Sequence, residues 1–437
     1  MKNITDLIQF KKSMFITSHE LEDGSAILFS PETKFGSLVL LESTEYNLWK
    51  QNRLEELVKW EKDNLGTDNL LRQRFIINAD ENQIETLKKL RLESAFDKEP
   101  DSINFTISLT TFCNARCEYC FQKGLIHTRL NPTVANGIVE FIKKTATTYN
   151  AKKVYITWFG GEPLLEPHII EDMSNELIMH FKDNYNACMI TNGSLINDKV
   201  IAMFKRCHIS EIQITLDGID KKYEKIKNYY NKNYTYSTIL RNIENCLRNN
   251  ILVIIRLNVS KNNKDEILNV IDELDKKFGS FKSQNLFFIS VSIVTGEKTD
   301  CSLFTVESQE LKDILSKIYE KLYILRYTSF DLGINYTICD AYRYHSYFFD
   351  PDGDIYRCDR LIGKKEKSVG NVFTGLTISE EDLCTLLKEP LPEKCNSCKM
   401  LPMCQGGCKD LKNSNIGRCR IEKFIIDELI DIIYKHS

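Results

Sequence analysis

The chain has 437 residues, enough for two or three domains with separate cores. Its 58 basic and 61 acidic residues leave a net charge of -3, which provides no basic footprint for nucleic acid or an anionic membrane surface. No apolar run is long enough to cross a bilayer, and the charged, polar start does not have the apolar core of a signal peptide; the expectation is a cytoplasmic protein with no membrane or nucleic-acid partner.

Residues 1–95 read as a small α+β unit. Ser25–Ser30 and Ser37–Leu41 form a candidate β-hairpin around a turn-rich loop, and helical patterns follow at Tyr46, Trp49, Leu54, Leu57 and Trp60, then at Ile84, Leu87 and Leu90. The polar stretch Asp97–Ser102 separates this unit from the next.

From residue 100 to 325 strands and helices alternate. Strands are expected at Ile103–Leu109, Val154–Trp158, Ala187–Thr191, Glu211–Leu216, Ile251–Val259 and Leu286–Val294. Helices are expected around Val134–Ile142, Ile169–Phe181, Val200–Phe204, Tyr236–Leu247, Ile267–Phe278 and Leu311–Leu325. Six such units predict an α/β fold, a partial (β/α)6 TIM-like barrel, whose active site sits at the C-terminal ends of its strands.

Residues 330–437 show little apolar periodicity before a closing helix over Ile421–Tyr434, so cysteines are expected to staple a loop-rich region. Fifteen cysteines are many for one chain. The odd count and the lack of an export signal argue against disulfides and for metal or cluster binding.

Cys113, Cys117 and Cys120 follow the first strand at C-x3-C-x2-C spacing. Three thiolates around a four-iron cluster leave one iron open for a chelating ligand. A zinc site would need a fourth ligand, and His127 is too loosely spaced to be an obvious one. Downstream, Cys339, Gly353 and Cys358 are followed by Cys395, Cys398, Cys404, Cys408 and Cys419. Seven cysteines are too many for one four-ligand site and too few for two. A zinc-stapled, non-catalytic peptide-binding scaffold stays open at this point. Cys188, Cys207, Cys246 and Cys384 fall on strand or helix patterns and read as buried small hydrophobes.

The first cysteine motif, with the aromatic Tyr119 before its last cysteine, resembles that of the radical S-adenosylmethionine (SAM) superfamily. The resemblance covers roughly residues 100–325. It implies a 4Fe-4S cluster on Cys113, Cys117 and Cys120 and reductive cleavage of SAM to a 5′-deoxyadenosyl radical that abstracts hydrogen from a substrate. Gly160, Gly161 and Glu162, before Pro163, match the family's GGEP segment, which holds the methionine amino group. Asn192, Thr215 and Arg256 lie at strand ends that contact the cofactor in such enzymes. Where many relatives carry an arginine after the fourth strand this chain has Lys227; whether Lys227 or Arg256 meets the methionine carboxylate stays open.

Roughly residues 330–425 resemble the SPASM extension of that superfamily, which implies two auxiliary 4Fe-4S clusters, three clusters in all. Carried over, Cys395, Cys398, Cys404 and Cys419 hold the distal one. Cys339, Cys358 and Cys408 hold the proximal one, with no fourth cysteine between Cys339 and Cys358, and Cys301 nearest upstream. Asp359 matches a catalytic base of sulfatase-maturating relatives; an exposed loop aspartate is the plain alternative. The first 95 residues resemble, in pattern only, the winged-helix-like peptide-recognition unit of ribosomal-peptide maturases. Such a unit would bind a leader peptide by strand addition. Sulfatase maturases usually lack it and usually carry Gln where Phe159 stands. The resemblance implies oxidative modification of a precursor peptide, by thioether or other crosslinking, with an electron donor such as flavodoxin or ferredoxin. Formylglycine formation on sulfatases and peptide epimerisation are the alternatives.

Overall fold

The computed structural model describes residues 9–436 apart from 98, 296–303, 305–307, 329–331, 337, 414–416 and 418. The start of the chain, on which the export expectation rests, and Cys301 lie outside the described residues.

The N-terminal unit opens with β1 (Phe10–Lys12), β2 (Thr17–Glu20), β3 (Ala26–Ser30) and β4 (Ser37–Leu41). Then come α1 (Ser43–Lys50), α2 (Leu54–Leu65), α3 (Asn69–Arg72), β5 (Ile76–Asn78) and α4 (Gln83–Ala95). β3 pairs antiparallel with β4, Ala26 opposite Leu41, as the hairpin pattern predicts. β2 adds a third strand on the other side of β3, and β1 pairs with β5. β3 is buried at every position because both its faces are covered. Ala26 and Leu28 pack with Tyr46, Trp49 and Leu57 of the unit's own helices, while Ile27 and Phe29 join the core of the large sheet.

The central region runs β6 (Ser102–Ser108), α5 (Pro132–Thr148), β7 (Lys153–Phe159), α6 (Pro167–Phe181), β8 (Tyr185–Thr191), α7 (Asp198–Arg206) and β9 (Ile209–Thr215). It continues with α8 (Asp220–Lys227), α9 (Tyr236–Arg248), β10 (Leu252–Val259), α10 (Ile267–Phe278), β11 (Phe287–Ile293) and α11 (Gln309–Ile324). The six strands lie in chain order, each parallel to the next, in a mixed α/β fold with a partial TIM-like barrel. Local signals set the helix starts. Asn131 caps α5 by accepting from the Val134 N–H, with Pro132 at the first helical position, and Asn197, Thr235 and Ser308 cap α7, α9 and α11.

The period of two along each strand divides the sheet. Ile103, Phe105, Ile107, Val154, Ile156, Val253 and Ile255 are buried under the outer helices. Each such side chain is worth about 1.5–3 kcal/mol relative to exposure. The alternate positions, among them Thr106, Thr157, Gln213, Thr215, Arg256 and Ser292, stay partly accessible on the concave face. A complete barrel packs that interior; this one keeps it polar and open.

The C-terminal region departs from the expectation of a stapled loop. β12 (Tyr347–Phe349) pairs parallel with β6, setting Phe348 beside Thr106. β13 (Asp354–Tyr356), β14 (Gly370–Asn371) and β15 (Gly375–Leu376) continue antiparallel from it, so one sheet has ten strands. The short helices α12 (Glu380–Leu387) and α13 (Leu401–Cys404) follow. The closing helix α14 (Ile426–His436) starts later than expected, after a 3-10 turn over Ile421–Phe424, and buries Leu429, Ile430 and Ile432. Among the described residues no helix is long and apolar enough to cross a membrane.

Candidate active site

At the C-terminal ends of the parallel strands lies a cleft of about 560 Å³, within the roughly 300–1,000 Å³ of small-molecule sites. Cys113, Cys117 and Cys120, with Tyr119, stand on one wall. Gly160, Gly161, Asn192, Thr215 and Arg256 come from the ends of β7, β8, β9 and β10. Asp359, Arg360, Arg420 and Glu422 reach in from the C-terminal region.

The two glycines serve the loop that carries the cysteines. A Cβ on Gly160, whose φ is +139, would sit 2.5 Å from the Thr110 carbonyl oxygen, and one on Gly161 would sit 2.2 Å from that of Phe112. The absence of side chains lets the Gly161 N–H donate to Thr110 at 2.8 Å and the Glu162 N–H to Phe112 at 2.9 Å. Glu162 itself is fully buried and does not line the cleft. Its carboxylate accepts from the Thr191 hydroxyl at 2.7 Å, the Asn192 N–H at 2.8 Å and the Leu164 N–H at 3.1 Å, tying the end of β7 to that of β8. Burial pushes this carboxyl up, against the pull of those donors and of Lys227.

On the other side, segment 227–230 braces the cysteine loop. The Arg116 N–H donates to the Lys227 carbonyl at 2.9 Å, and the Tyr230 N–H to that of Asn114 at 3.0 Å. Lys227 is 2% exposed; its ammonium lies 3.3 Å from Asp217 and 2.9 Å from the Tyr119 hydroxyl, which also donates to Asp217. Arg256 is held differently, by neutral Asn258 at 3.1 Å and Ser292 at 2.9 Å, and it enters no ion pair among the described residues. Both residues line the cleft, but Lys227's charge is already matched by Asp217 while Arg256's is not. Sequence reasoning placed Asp217 at the end of the fourth strand and offered Lys227 as an alternative to Arg256, but it anticipated neither their pairing nor helix α8. A signal existed, since Ile219, Tyr223 and Ile226 stand at i, i+4 and i+7.

The other cysteines form two groups. Cys395, Cys398, Cys404 and Cys419 wall one small void together with Lys394 and Lys423. Cys339 and Cys408 are within hydrogen-bond reach of each other, and Cys358 is close enough to act on Cys339 electrostatically. Among the described residues no three His, Cys, Asp or Glu side chains converge tightly enough to hold a single metal ion. Soft thiolate sets gathered around a shared space suit a multi-iron cluster, whose ligands stand apart around its faces. Of the four cysteines read as buried, Cys207 and Cys246 are fully so, Cys384 is half-buried, and Cys188 lies half-buried on the concave face beside the Thr157 hydroxyl at 3.3 Å. His127 stacks on Phe112.

Residues 107–274 match the family model described as the Radical SAM superfamily. The chain carries a radical SAM domain and is an enzyme of that superfamily. The superfamily implies a 4Fe-4S cluster and SAM. The chain is 24% identical over 342 residues to a cysteine-type anaerobic sulfatase-maturating enzyme of Clostridium novyi, spanning 69% of this chain and 86% of that one. Its fold is similar to that of anSMEcpe with bound AdoMet, at TM-score 0.54 and 16% identity over 77% of this chain and 97% of that one. It is also similar to Streptococcus suis SuiB bound to precursor peptide SuiA, at TM-score 0.52 and 17% identity over 94% and 99%.

Proposed function

We propose that this radical SAM enzyme modifies a precursor peptide oxidatively, by a thioether or other crosslink. The observation that carries the reading is the shared cleft, with the three-cysteine loop on one wall and Asp359 from the C-terminal region on another. Cys113, Cys117 and Cys120 would hold the radical cluster; the Cys395 group and the Cys339 group would hold two more. Bound there, cluster and SAM supply hydrogen abstraction from a carbon centre. Gly160, Gly161, Asn192, Thr215, Tyr119 and Arg256 line the space for the cofactor, with Arg256 the unmatched cation suited to a carboxylate. Glu162 acts from behind the wall, holding the strand ends that present Asn192.

Of the two hydrogens removed from a peptide, one would leave as an atom to the 5′-deoxyadenosyl radical and the other as a proton and one electron, the electron going to an auxiliary cluster. Asp359 Oδ1 accepts from the Arg360 N–H at 2.9 Å and lies 3.3 Å from the Cys358 sulfur, whereas Oδ2 has no hydrogen bond among the described residues. That second oxygen is the one suited to take up the proton. Residues 1–95 would recognise a leader by strand addition, 100–325 would be the radical domain and 330–437 the auxiliary domain. The near full-length likeness to SuiB, which is bound to a precursor peptide, supports a peptide substrate. A cytoplasmic low-potential donor such as flavodoxin or ferredoxin would feed the clusters. Formylglycine formation is the second reading, favoured by the likeness to the sulfatase-maturating enzyme over 86% of its length.

The test is anaerobic incubation of reconstituted enzyme, SAM and reductant with precursor peptides from neighbouring reading frames and with sulfatase-derived peptides. Loss of two hydrogens from a precursor peptide, with thiols consumed, is the expected result. An aldehyde on the sulfatase peptide alone would establish the second reading in its place. Solvent deuterium uptake without mass loss would mean epimerisation and overturn the oxidative reading.

A further inference from the structure

Helix α4 ends the N-terminal unit, yet it packs on the C-terminal cysteine region. Leu87 clusters with Phe15 and Leu401, beside half-buried Cys395. Ala95 clusters with Ile338, Tyr342, Leu383 and Leu387, beside half-buried Cys339, and its carbonyl accepts from the Tyr344 N–H at 2.7 Å. Between these contacts Arg91 is 4% exposed. Its Nε donates to the Gln405 carbonyl at 3.3 Å, one residue after Cys404. Its guanidinium lies 4.4 Å from the centre of the Tyr342 ring. The Tyr342 N–H in turn donates to the Cys339 carbonyl at 2.8 Å, and Lys409, next to Cys408, lies 5.2 Å from the same ring. One buried side chain therefore touches the segments that follow Cys339 and Cys404, and shares a ring with the residue beside Cys408.

We propose that Arg91 is a positioning residue for the auxiliary metal centres: α4, through this side chain, sets the Cys339 group and the Cys395 group relative to each other. The proposal rests on the reading that these two groups hold auxiliary clusters. A guanidinium suits the task because it is planar and stays charged when buried. It can donate in its plane while its face covers an aromatic ring. Lysine reproduces the charge without that shape. It follows that the N-terminal unit is part of the scaffold of the auxiliary centres as well as a candidate recognition unit.

The test compares iron and sulfide per chain, and electron paramagnetic resonance spectra, for anaerobically reconstituted full-length wild type, Arg91→Met and Arg91→Lys. Arg91→Met is expected to lose at least about a third of its iron, one cluster of three, while still cleaving SAM within about twofold of wild type. Arg91→Lys is expected to keep most iron with an altered auxiliary spectrum, the signature of a shifted rather than a missing ligand set. Wild-type iron and spectra in both variants would overturn the proposal and leave the cluster reading intact. Wild type holding only one cluster would overturn both. If Arg91→Met does not fold, hydrogen exchange on the wild type decides. Reconstitution should slow exchange of the α4 amides at least tenfold, and unchanged exchange there would overturn the proposal.

Discussion

At the scale of single residues, this site depends as much on missing atoms as on functional groups. Gly160 and Gly161 hold the cysteine loop at hydrogen-bonding distance from the end of β7, and the obstacle to a side chain there is backbone, which cannot swing away. Gly161→Ala is expected to displace the Phe112 segment at a cost of about 1–3 kcal/mol. The variant should fold, melt lower, and retain less than about half of the iron proposed for Cys113, Cys117 and Cys120, as measured by iron content and SAM binding. Wild-type loading would show that the loop tolerates the displacement. The glycines and cysteines were legible as sequence because their spacing is the signal. The Lys227–Asp217–Tyr119 lock was not, because Tyr119 lies about 100 residues before the other two and meets them only through the fold.

At the scale of elements, the β12–β13 hairpin joins the cysteine region to the barrel. Its turn is built on Asp350, 3% exposed, whose Oδ1 accepts from the Asp352 N–H at 3.0 Å and the Asp354 N–H at 2.9 Å while Oδ2 accepts from the Tyr356 hydroxyl at 3.1 Å. Burial nevertheless pushes this carboxyl up to about 6 from 3.8. A carboxyl raised on folding contributes stability below its unfolded value, and that contribution is lost as pH climbs through about 6. The loss between pH 4 and 7 amounts to at most about 3 kcal/mol. Asp350→Asn, neutral at every pH, should flatten this part of the stability profile in urea unfolding from pH 4.5 to 7.5. An unchanged slope would assign the pH dependence to other groups. The hairpin was visible in principle, as a run of aromatic residues followed by Asp350, Pro351, Asp352 and Gly353, but three-residue strands carry too little alternation to stand out. The helix and strand periods of the barrel, by contrast, run long enough that all six units fall where the pattern predicts.

At the scale of the whole molecule, the ten-stranded sheet makes the barrel and the cysteine region one hydrogen-bonded structure, and α4 and β3 tie the N-terminal unit to both. The barrel core is large, whereas α12 and α13 are short and add only Leu383, Leu387 and the three residues Leu401, Pro402 and Met403 to the buried interior. Removing iron with a chelator under anaerobic conditions should therefore leave far-ultraviolet dichroism largely intact. Limited proteolysis should then cut first between residues 388 and 420. Cleavage starting inside 102–293 would contradict this division of stability.

The sequence alone determined the partial barrel and the radical SAM motif in its first cysteines, because strand and helix periods and short residue spacings are local properties of the chain. It also marked the strand ends where the cleft forms. Only the tertiary structure decided that Glu162 lies behind the cleft wall, that Lys227 is matched by Asp217 while Arg256 is not, and that Arg91 reaches between the two C-terminal cysteine groups. Those facts depend on burial and on contacts between distant segments. Burying a charge or a carboxyl is tolerable only where particular partners arrive from elsewhere in the fold, and no local pattern announces which partners those are.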